Sequence, residues 1–140
     1  MKKYEIGLYE KAMRNTLTWK EKLQCAKECG YDYLEISIDA TEEKINRIYM
    51  DTEEKREIME AIFDTGIPIG SMSVSALTKY ALGDPDQAVR DRGMEIAEKS
   101  IQLSSALGVR TVMIPGYDIY YGERGKRWRL LQSLTYRYSF

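Results

Sequence analysis

The sequence contains no histidine, and that absence excludes several kinds of active site. Histidine is the usual general base near neutral pH and the commonest metal ligand of proteins. A Ser-His-Asp triad and a histidine-bearing zinc site therefore cannot be built from these 140 residues.

Cysteine is also scarce, with Cys25 and Cys29 as the two examples. They lie four residues apart in a helical pattern, so a metal or redox pair is one interpretation. The other is that they are small apolar residues, because free cysteine is among the most buried residue types. We expect the second, with both side chains on a buried helix face.

Long apolar runs and a charge imbalance are missing as well. No stretch approaches about 18 consecutive apolar residues, and Met1-Lys2-Lys3 leads directly into a strand-like segment instead of the apolar core of a signal peptide. The 21 Lys and Arg residues nearly balance the 22 Asp and Glu residues, so the net charge of -1 gives no general attraction for nucleic acid or an anionic membrane. We expect a cytoplasmic protein that binds neither.

What the sequence does contain is a strand-then-helix unit that occurs four times. Strand-like segments are predicted at residues 4–9, 33–39, 67–75 and 110–114. The three helices between them are predicted to end at Gly30, Gly66 and Gly108, because glycine adopts the left-handed conformation that closes a helix. Strands that alternate with helices predict parallel pairing through right-handed crossovers.

Capping signals and apolar stripes support each of these helices. Thr18 with Glu21 and Asp51 with Glu54 are predicted capping boxes, and Asp84-Pro85 is predicted to start the third helix. The apolar stripes are predicted at Trp19, Leu23 and Ala26; at Ile58, Met59 and Ile62; and at Val89, Ile96, Ala97 and Ile101.

Two strands carry polar side chains on one face. Leu34, Ile36 and Ile38 alternate with Glu35, Ser37 and Asp39, and the third strand alternates Ser71, Ser73 and Ser75 with Met72 and Val74. A doubly wound sheet is covered by helices on both faces and reads as apolar on both, whereas a barrel accepts polar groups that line its mouth.

The pattern therefore predicts an α/β fold of TIM-barrel-like (β/α) units, with four parallel strands and outer helices. Four units are half of an eightfold barrel, whose usual size is about 250 residues. A flavodoxin-like α/β binding domain, with the C-terminal tail as a fifth strand, stays open as an alternative. Against it, no glycine-rich phosphate loop follows the first strand.

The chain changes character after Tyr121. Residues 122–129 are basic and interrupted by glycine, and residues 134–140 then alternate apolar with polar side chains. We predict two parts: residues 1–121 as four β/α units of a partial barrel, and residues 122–140 as an atypical tail that packs on a sheet edge or on a partner chain.

Three segments resemble a known family: Gly7-Leu8-Tyr9-Glu10-Lys11-Ala12, Leu34-Glu35-Ile36-Ser37-Ile38-Asp39 and Gly116-Tyr117-Asp118-Ile119-Tyr120-Tyr121. They are similar to the L-xylulose/L-ribulose 5-phosphate 3-epimerases, a group that includes hexulose-6-phosphate isomerase-like proteins and belongs to the xylose-isomerase-like barrel superfamily. The resemblance covers residues 4–121 and corresponds to the N-terminal half of the family's barrel. It implies a divalent metal that polarises the sugar carbonyl, while two carboxylates move a proton through an enediolate.

The chain departs from this family at its functional positions. The family's metal ligands and catalytic glutamates come from later strands, so we assign no catalytic residue, metal ligand or cofactor to this chain. A family Ser-Ala-His motif reads Ser75-Ala76-Leu77 here. We therefore predict a truncated sugar-phosphate isomerase or epimerase that is inactive alone, with a non-catalytic, self-associating or ligand-binding half-barrel as the alternative.

Candidate substrate contacts lie where the predicted strands end, because barrel enzymes place their active sites at that face. The alternative is a purely structural role, in which these side chains fill the barrel interior or hydrogen-bond to one another. Exposed edges on the first and last strands also predict a homodimer. The candidates are Tyr9, Glu10, Lys11, Glu35, Ser37, Asp39, Ser73, Ser75, Tyr117 and Asp118.

Overall fold

The computed structural model describes residues 4–116, which contain four strands and four α-helices. Short 3-10 turns follow β1, α2 and β3, at Glu10–Ala12, Arg47–Tyr49 and Ser75–Thr78. In chain order the elements are β1 (Gly7–Tyr9), α1 (Trp19–Glu28), β2 (Tyr33–Ser37), α2 (Glu42–Asn46), α3 (Thr52–Thr65), β3 (Ile69–Ser73), α4 (Gln87–Ala106) and β4 (Thr111–Met113).

The strands form one parallel sheet in the order β1-β2-β3-β4. Strand order therefore follows chain order, and right-handed crossovers in one direction place the helices on one face of the sheet. A flavodoxin-like domain reverses direction after its first two strands, so that alternative is wrong. The fold is a partial TIM-barrel-like α/β arrangement, as predicted.

The core lies between the sheet and its helices. Leu34, Ile36 and Ile38 of the second β/α unit are fully buried, as are Met72 and Val74 of the third. They meet apolar side chains of three helices, which confirms the face assignment made from alternation. Each such side chain contributes about 1.5–3 kcal/mol when it leaves water. The central helix residues are Leu23 of α1, Ile58 of α3 and Ile96 of α4.

Most of the predicted helix boundaries are confirmed. Thr18 and Asp51 each form the full capping box with the glutamate three residues later. Gly30, Gly66 and Gly108 have φ values of 77, 73 and 71°, so all three helix ends use the left-handed conformation.

Asp84-Pro85 does not start the third long helix. The N-cap of α4 is Asp86, whose carboxylate accepts a hydrogen bond from the Ala88 amide. Asp84 instead accepts from the Asp86 amide and shapes the preceding turn. Two acceptors lie close together in the sequence, and the second one caps the helix.

Two apolar stripes and the cysteine prediction also need correction. Met59 and Ile101 are about half exposed, at 46% and 55%, because they lie at the margins of their helices' buried faces. Cys29 is exposed and Cys25 is half-buried, so the expected buried pair is wrong. The buried face of α1 is set by Leu23 and Ala26, and Cys29 lies beyond the helix as its C-cap.

The strands are shorter than predicted, and one helix was not predicted. β1 begins at Gly7 instead of Tyr4, β4 covers Thr111–Met113, and Ser75 begins a 3-10 turn after β3. The extra helix, α2, has five residues, too few to show an apolar stripe in the sequence.

A tyrosine ring closes the amino end of the strands. A Cβ added to Gly7 would lie 2.1 Å from the Tyr33 ring, and one added to Gly70 would lie 2.6 Å from it. The ring therefore lies across β1 and β3, in space that only glycine leaves free. None of the helices within residues 4–116 has the length and hydropathy needed to cross a membrane.

Candidate substrate-binding site

Five of the predicted site residues meet at the carboxyl ends of β1, β2 and β3. The Tyr9 hydroxyl lies 3.3 Å from Ser37 Oγ. Lys11 Nζ lies 3.2 Å from Asp39 Oδ2 and 3.4 Å from Ser75 Oγ. The contacts join residues from three successive β/α units, so we call this group the mouth cluster: Tyr9, Lys11, Ser37, Asp39 and Ser75.

The mouth cluster is held by short local interactions. Glu10–Ala12 forms a 3-10 turn directly after β1, and this turn carries Lys11 towards the next unit. Asp39 accepts hydrogen bonds from the Thr41 amide at 2.9 Å and the Thr41 hydroxyl at 2.7 Å, which fixes its carboxylate just past β2. Ser75 opens the turn that follows β3.

Lys11 and Asp39 stabilise each other's charged forms. Partial burial lowers the pKa of Lys11, but the hydrogen bonds and charge interactions with Asp39 and Tyr9 together outweigh burial and raise the pKa. Partial burial likewise raises the pKa of Asp39, yet the Thr41 and Lys11 hydrogen bonds hold it below its ordinary value. The side chain of Lys11 is 40% exposed and that of Asp39 is 16% exposed, so the pair presents a donor and an acceptor side by side at the protein surface.

Two further candidates lie on β2 and β3, outside the mouth cluster. Glu35 accepts a hydrogen bond of 2.6 Å from Ser71 Oγ, and these two register partners lie two residues before Ser37 and Ser73. Ser73 is buried at the end of β3, opposite Ser37 in the register. Their roles as substrate contacts stay predictions, and Tyr117 and Asp118 lie outside the described residues.

Glu10 differs from its neighbours because its carboxylate turns into the protein. It is 1% exposed and binds Lys22, Lys44 and Arg47, a group that we call the Glu10 cluster. Oε1 accepts from Lys22 Nζ at 2.7 Å, Lys44 Nζ at 2.6 Å and Arg47 Nη2 at 2.8 Å. Oε2 accepts from Arg47 Nη1 at 2.6 Å and from the Ser37 amide at 2.9 Å.

These contacts keep Glu10 ionised. Burial acts to raise its pKa, but hydrogen bonds from Arg47, Lys22 and Lys44 outweigh burial and hold the pKa far below the ordinary value of 4.5. A carboxylate held this firmly is a poor proton acceptor. Glu10 therefore joins the end of β1 to α1, α2 and β2.

The cations of the Glu10 cluster were missed in the sequence. Lys22 was the visible signal, because it lies three residues after Trp19 and four before Ala26, on the face that the apolar stripe buries. Its ammonium and the Arg47 guanidinium lie 4.8 and 4.9 Å from the centroid of the Trp19 ring. Lys44 and Arg47 belong to a region where no helix was predicted.

Within residues 4–116 no group of three Cys, Asp or Glu side chains is placed to hold a metal ion. Asp39 is engaged by Lys11 and Thr41, and Glu35 by Ser71. Leu77, at the position of the family's histidine, is 3% exposed and packs in the core. The described residues therefore do not fit the divalent metal that the resemblance implies.

The chain is similar to proteins of a known family. Residues 23–136 match the family described as "Xylose isomerase-like TIM barrel". The chain belongs to this family. UlaE of Escherichia coli O139:H28, named as an L-ribulose-5-phosphate 3-epimerase, is 39% identical over 128 residues, which are 91% of this chain and 45% of UlaE. SgbU of Escherichia coli K12 is 38% identical over 138 residues, which are 97% of this chain and 48% of SgbU.

A solved structure shows the same fold at low sequence identity. The D-psicose 3-epimerase of Clostridium cellulolyticum H10 superposes with a TM-score of 0.62 at 16% identity, over 94% of this chain and 46% of the epimerase. The chain thus spans about half the length of the curated relatives that it matches, and these relatives are sugar epimerases.

Proposed function

We propose that this chain binds a ketopentose or hexulose phosphate at the mouth cluster. The observation that carries the proposal is the set of contacts from Tyr9 to Ser37 and from Lys11 to Asp39 and Ser75. These side chains offer alternating donors and acceptors from three strand ends, and neighbouring hydroxyl groups of a sugar both donate and accept. UlaE is named for a substrate of this kind.

We further propose that the 140-residue chain does not epimerise the sugar on its own. Epimerisation beside a carbonyl removes a proton from one face of a carbon and returns it to the other, so it needs two placed acid–base groups. Among the described carboxylates near the mouth, Asp39 is paired with Lys11, and Glu35 accepts from Ser71. Glu10 is buried and held ionised.

A second candidate function is a non-catalytic half-barrel that associates with itself. Within residues 4–116, β1 pairs only with β2 and β4 only with β3, which leaves one edge of each strand open. Open strand edges favour pairing with another chain. A second copy of this chain is the partner that we propose.

Calorimetric titration with L-ribulose 5-phosphate tests the binding. We expect saturable binding to the 140-residue chain, and a dissociation constant about threefold to tenfold higher for Tyr9→Phe, which loses one hydrogen bond. Tyr31→Phe is the matched control, since Tyr31 packs against the core just before β2 starts, at the other end of the strand. Equal effects of the two substitutions, or no binding, would contradict the proposal.

An epimerase assay tests the proposed lack of turnover. The purified chain is incubated with L-ribulose 5-phosphate and added divalent metal, and the product is resolved by chromatography. We expect no conversion above the rate of the protein-free reaction. Turnover that scales with the concentration of this chain would refute that part of the proposal.

A further inference from the structure

The Glu10 cluster contains more positive than negative charge. Three cations surround one carboxylate, which leaves a formal net charge of +2. The side chains of Lys22 and Lys44 are each 3% exposed, and that of Arg47 is 11% exposed. Among the ion pairs of residues 4–116, all three of these cations pair with Glu10 and with no second acid.

The surplus of positive charge affects the protonation of the Glu10 cluster itself. The pKa of Lys22 is lowered, first by burial and also by repulsion from Arg47 and Lys44, and the attraction of Glu10 does not restore it. The face of the Trp19 ring offers partial compensation to Lys22 and Arg47. An unbalanced charge that is buried carries a large desolvation cost, so an anion nearby would stabilise the cluster.

The cluster lies directly behind the mouth. Both share Ser37: its amide donates to Glu10 Oε2 at 2.9 Å and its carbonyl accepts from Arg47 Nη1 at 3.2 Å, while its hydroxyl lies 3.3 Å from the Tyr9 hydroxyl. Glu10 is also the residue between Tyr9 and Lys11 in the chain.

The cluster therefore contributes to the electrostatic potential at the mouth. Lys11 and Asp39 form a neutral pair, so they contribute no net charge of their own. The buried residues between cluster and mouth screen charge far less than water does. The surplus of the cluster consequently contributes a positive potential at the mouth, which the single formal negative charge of Glu35, two residues before Ser37, offsets only in part.

We infer that Lys22, Lys44 and Arg47 are specificity-determining residues, whose surplus charge makes the mouth prefer a phosphate-bearing sugar to its neutral counterpart without contacting either one. The inference rests on the proposed function, because it requires a sugar at the mouth cluster. A purely structural role for these residues makes a different prediction. If these residues only support the fold, their loss weakens the binding of both sugars alike. If their charge matters, its loss changes the ratio of the two dissociation constants.

A series of variants that differ in the charge of the Glu10 cluster tests the inference. Calorimetry at low ionic strength gives the dissociation constants of L-ribulose 5-phosphate and L-ribulose for each variant, and their ratio is the readout. Lys44→Met and Lys22→Met each lower the cluster charge to +1, and the double variant lowers it to zero. We expect the preference for the phosphate to fall about tenfold per charge removed, as for a unit charge roughly 10 Å from a phosphate of charge about -1.5 to -2 at an effective dielectric constant of about 40.

Two controls separate charge from structure. Lys44→Arg keeps the cluster charge at +2 and should keep the ratio. Lys20→Met removes one charge from the exposed surface of α1, where Lys20 pairs with Asp64 at 2.7 Å, and should also keep the ratio. Circular dichroism verifies that each variant is folded, and Lys22→Met replaces Lys44→Met if the latter is not.

The outcomes distinguish the inference from the proposed function. A ratio that falls stepwise with cluster charge supports the inference. A constant ratio, with both sugars still bound, overturns the inference and leaves the proposed function standing. If neither sugar binds the unmodified chain, the proposed function fails and the inference fails with it.

Discussion

Among the carboxylates of residues 4–116, replacement of Glu10 by glutamine should destabilise the fold more than any other single exchange of a carboxyl for an amide. The substitution keeps the shape of the side chain but removes the one negative charge facing three buried cations. Five hydrogen-bond donors converge on the two carboxylate oxygens. In either orientation the amide group of glutamine therefore meets donors with its own N–H groups.

The magnitude follows from the burial of the cluster. Loss of one partner of a buried ion pair costs about 3–5 kcal/mol, because the remaining charge is left uncompensated. Native domains have a free energy of unfolding of only about 5–15 kcal/mol, so Glu10→Gln removes a large share of it. For a chain of this length we expect the melting temperature to fall by about 10–15 °C.

Urea unfolding followed by circular dichroism measures this effect. The matched control is Glu57→Gln on α3, where the side chain is exposed, and it should change the free energy of unfolding by less than about 0.5 kcal/mol. Glu10→Gln combined with Lys44→Met should cost less than the sum of the two single changes, because the variants share one interaction. A Glu10→Gln chain whose free energy of unfolding lies within about 1 kcal/mol of that of the unmodified chain would show that the cluster does not need the charge of Glu10.

The remaining predictions concern packing, pH and assembly. Gly93→Ala should lower the free energy of unfolding in urea by about 1–3 kcal/mol, because the new Cβ would lie 2.3 Å from the Tyr80 carbonyl oxygen. This loss should exceed the gain from the higher helix propensity of alanine. Equal or greater stability of the variant would contradict the packing of α4. Because the pKa of Glu10 is lowered in the fold, its carboxylate contributes stability that is complete above pH 4.5 and is lost as the pH falls below it. The urea midpoint of unfolding, measured at a series of acidic pH values, should therefore fall less steeply in Glu10→Gln than in the unmodified chain. Light scattering should give the mass of two chains, and a monodisperse monomer would refute the homodimer.

The fold could be predicted from local signals because each signal has one physical cause. Thr18 and Asp51 cap helices through hydrogen bonds to residues three positions away, and Gly66 ends one through its own backbone freedom. The alternation from Leu34 to Asp39 predicts which side chains join the apolar core, although it does not show that Ser37 on the opposite face is buried as well. Asp84 and Asp86 were harder to separate, because the choice between two neighbouring caps depends on how the turn before α4 packs.

The candidate site could be predicted only in part. Tyr9, Ser37 and Asp39 were recognised because strand ends in a parallel barrel converge on one face. Glu10 was assigned to the same face, yet its carboxylate turns inward, since its partners come from helices far along the chain. Alternation describes strands, and Glu10 lies in a 3-10 turn where it no longer applies.

The proposed function requires that the strand ends form a sugar-phosphate site. Titration of the isotopically labelled chain with L-ribulose 5-phosphate, followed through backbone amide chemical shifts, tests it most directly. We expect saturable shifts at Lys11, Ser37 and Asp39, and none at Tyr31 or Gly66 at the opposite end of the sheet. Shifts confined to that opposite end, or no shift at any concentration, would contradict the proposed function.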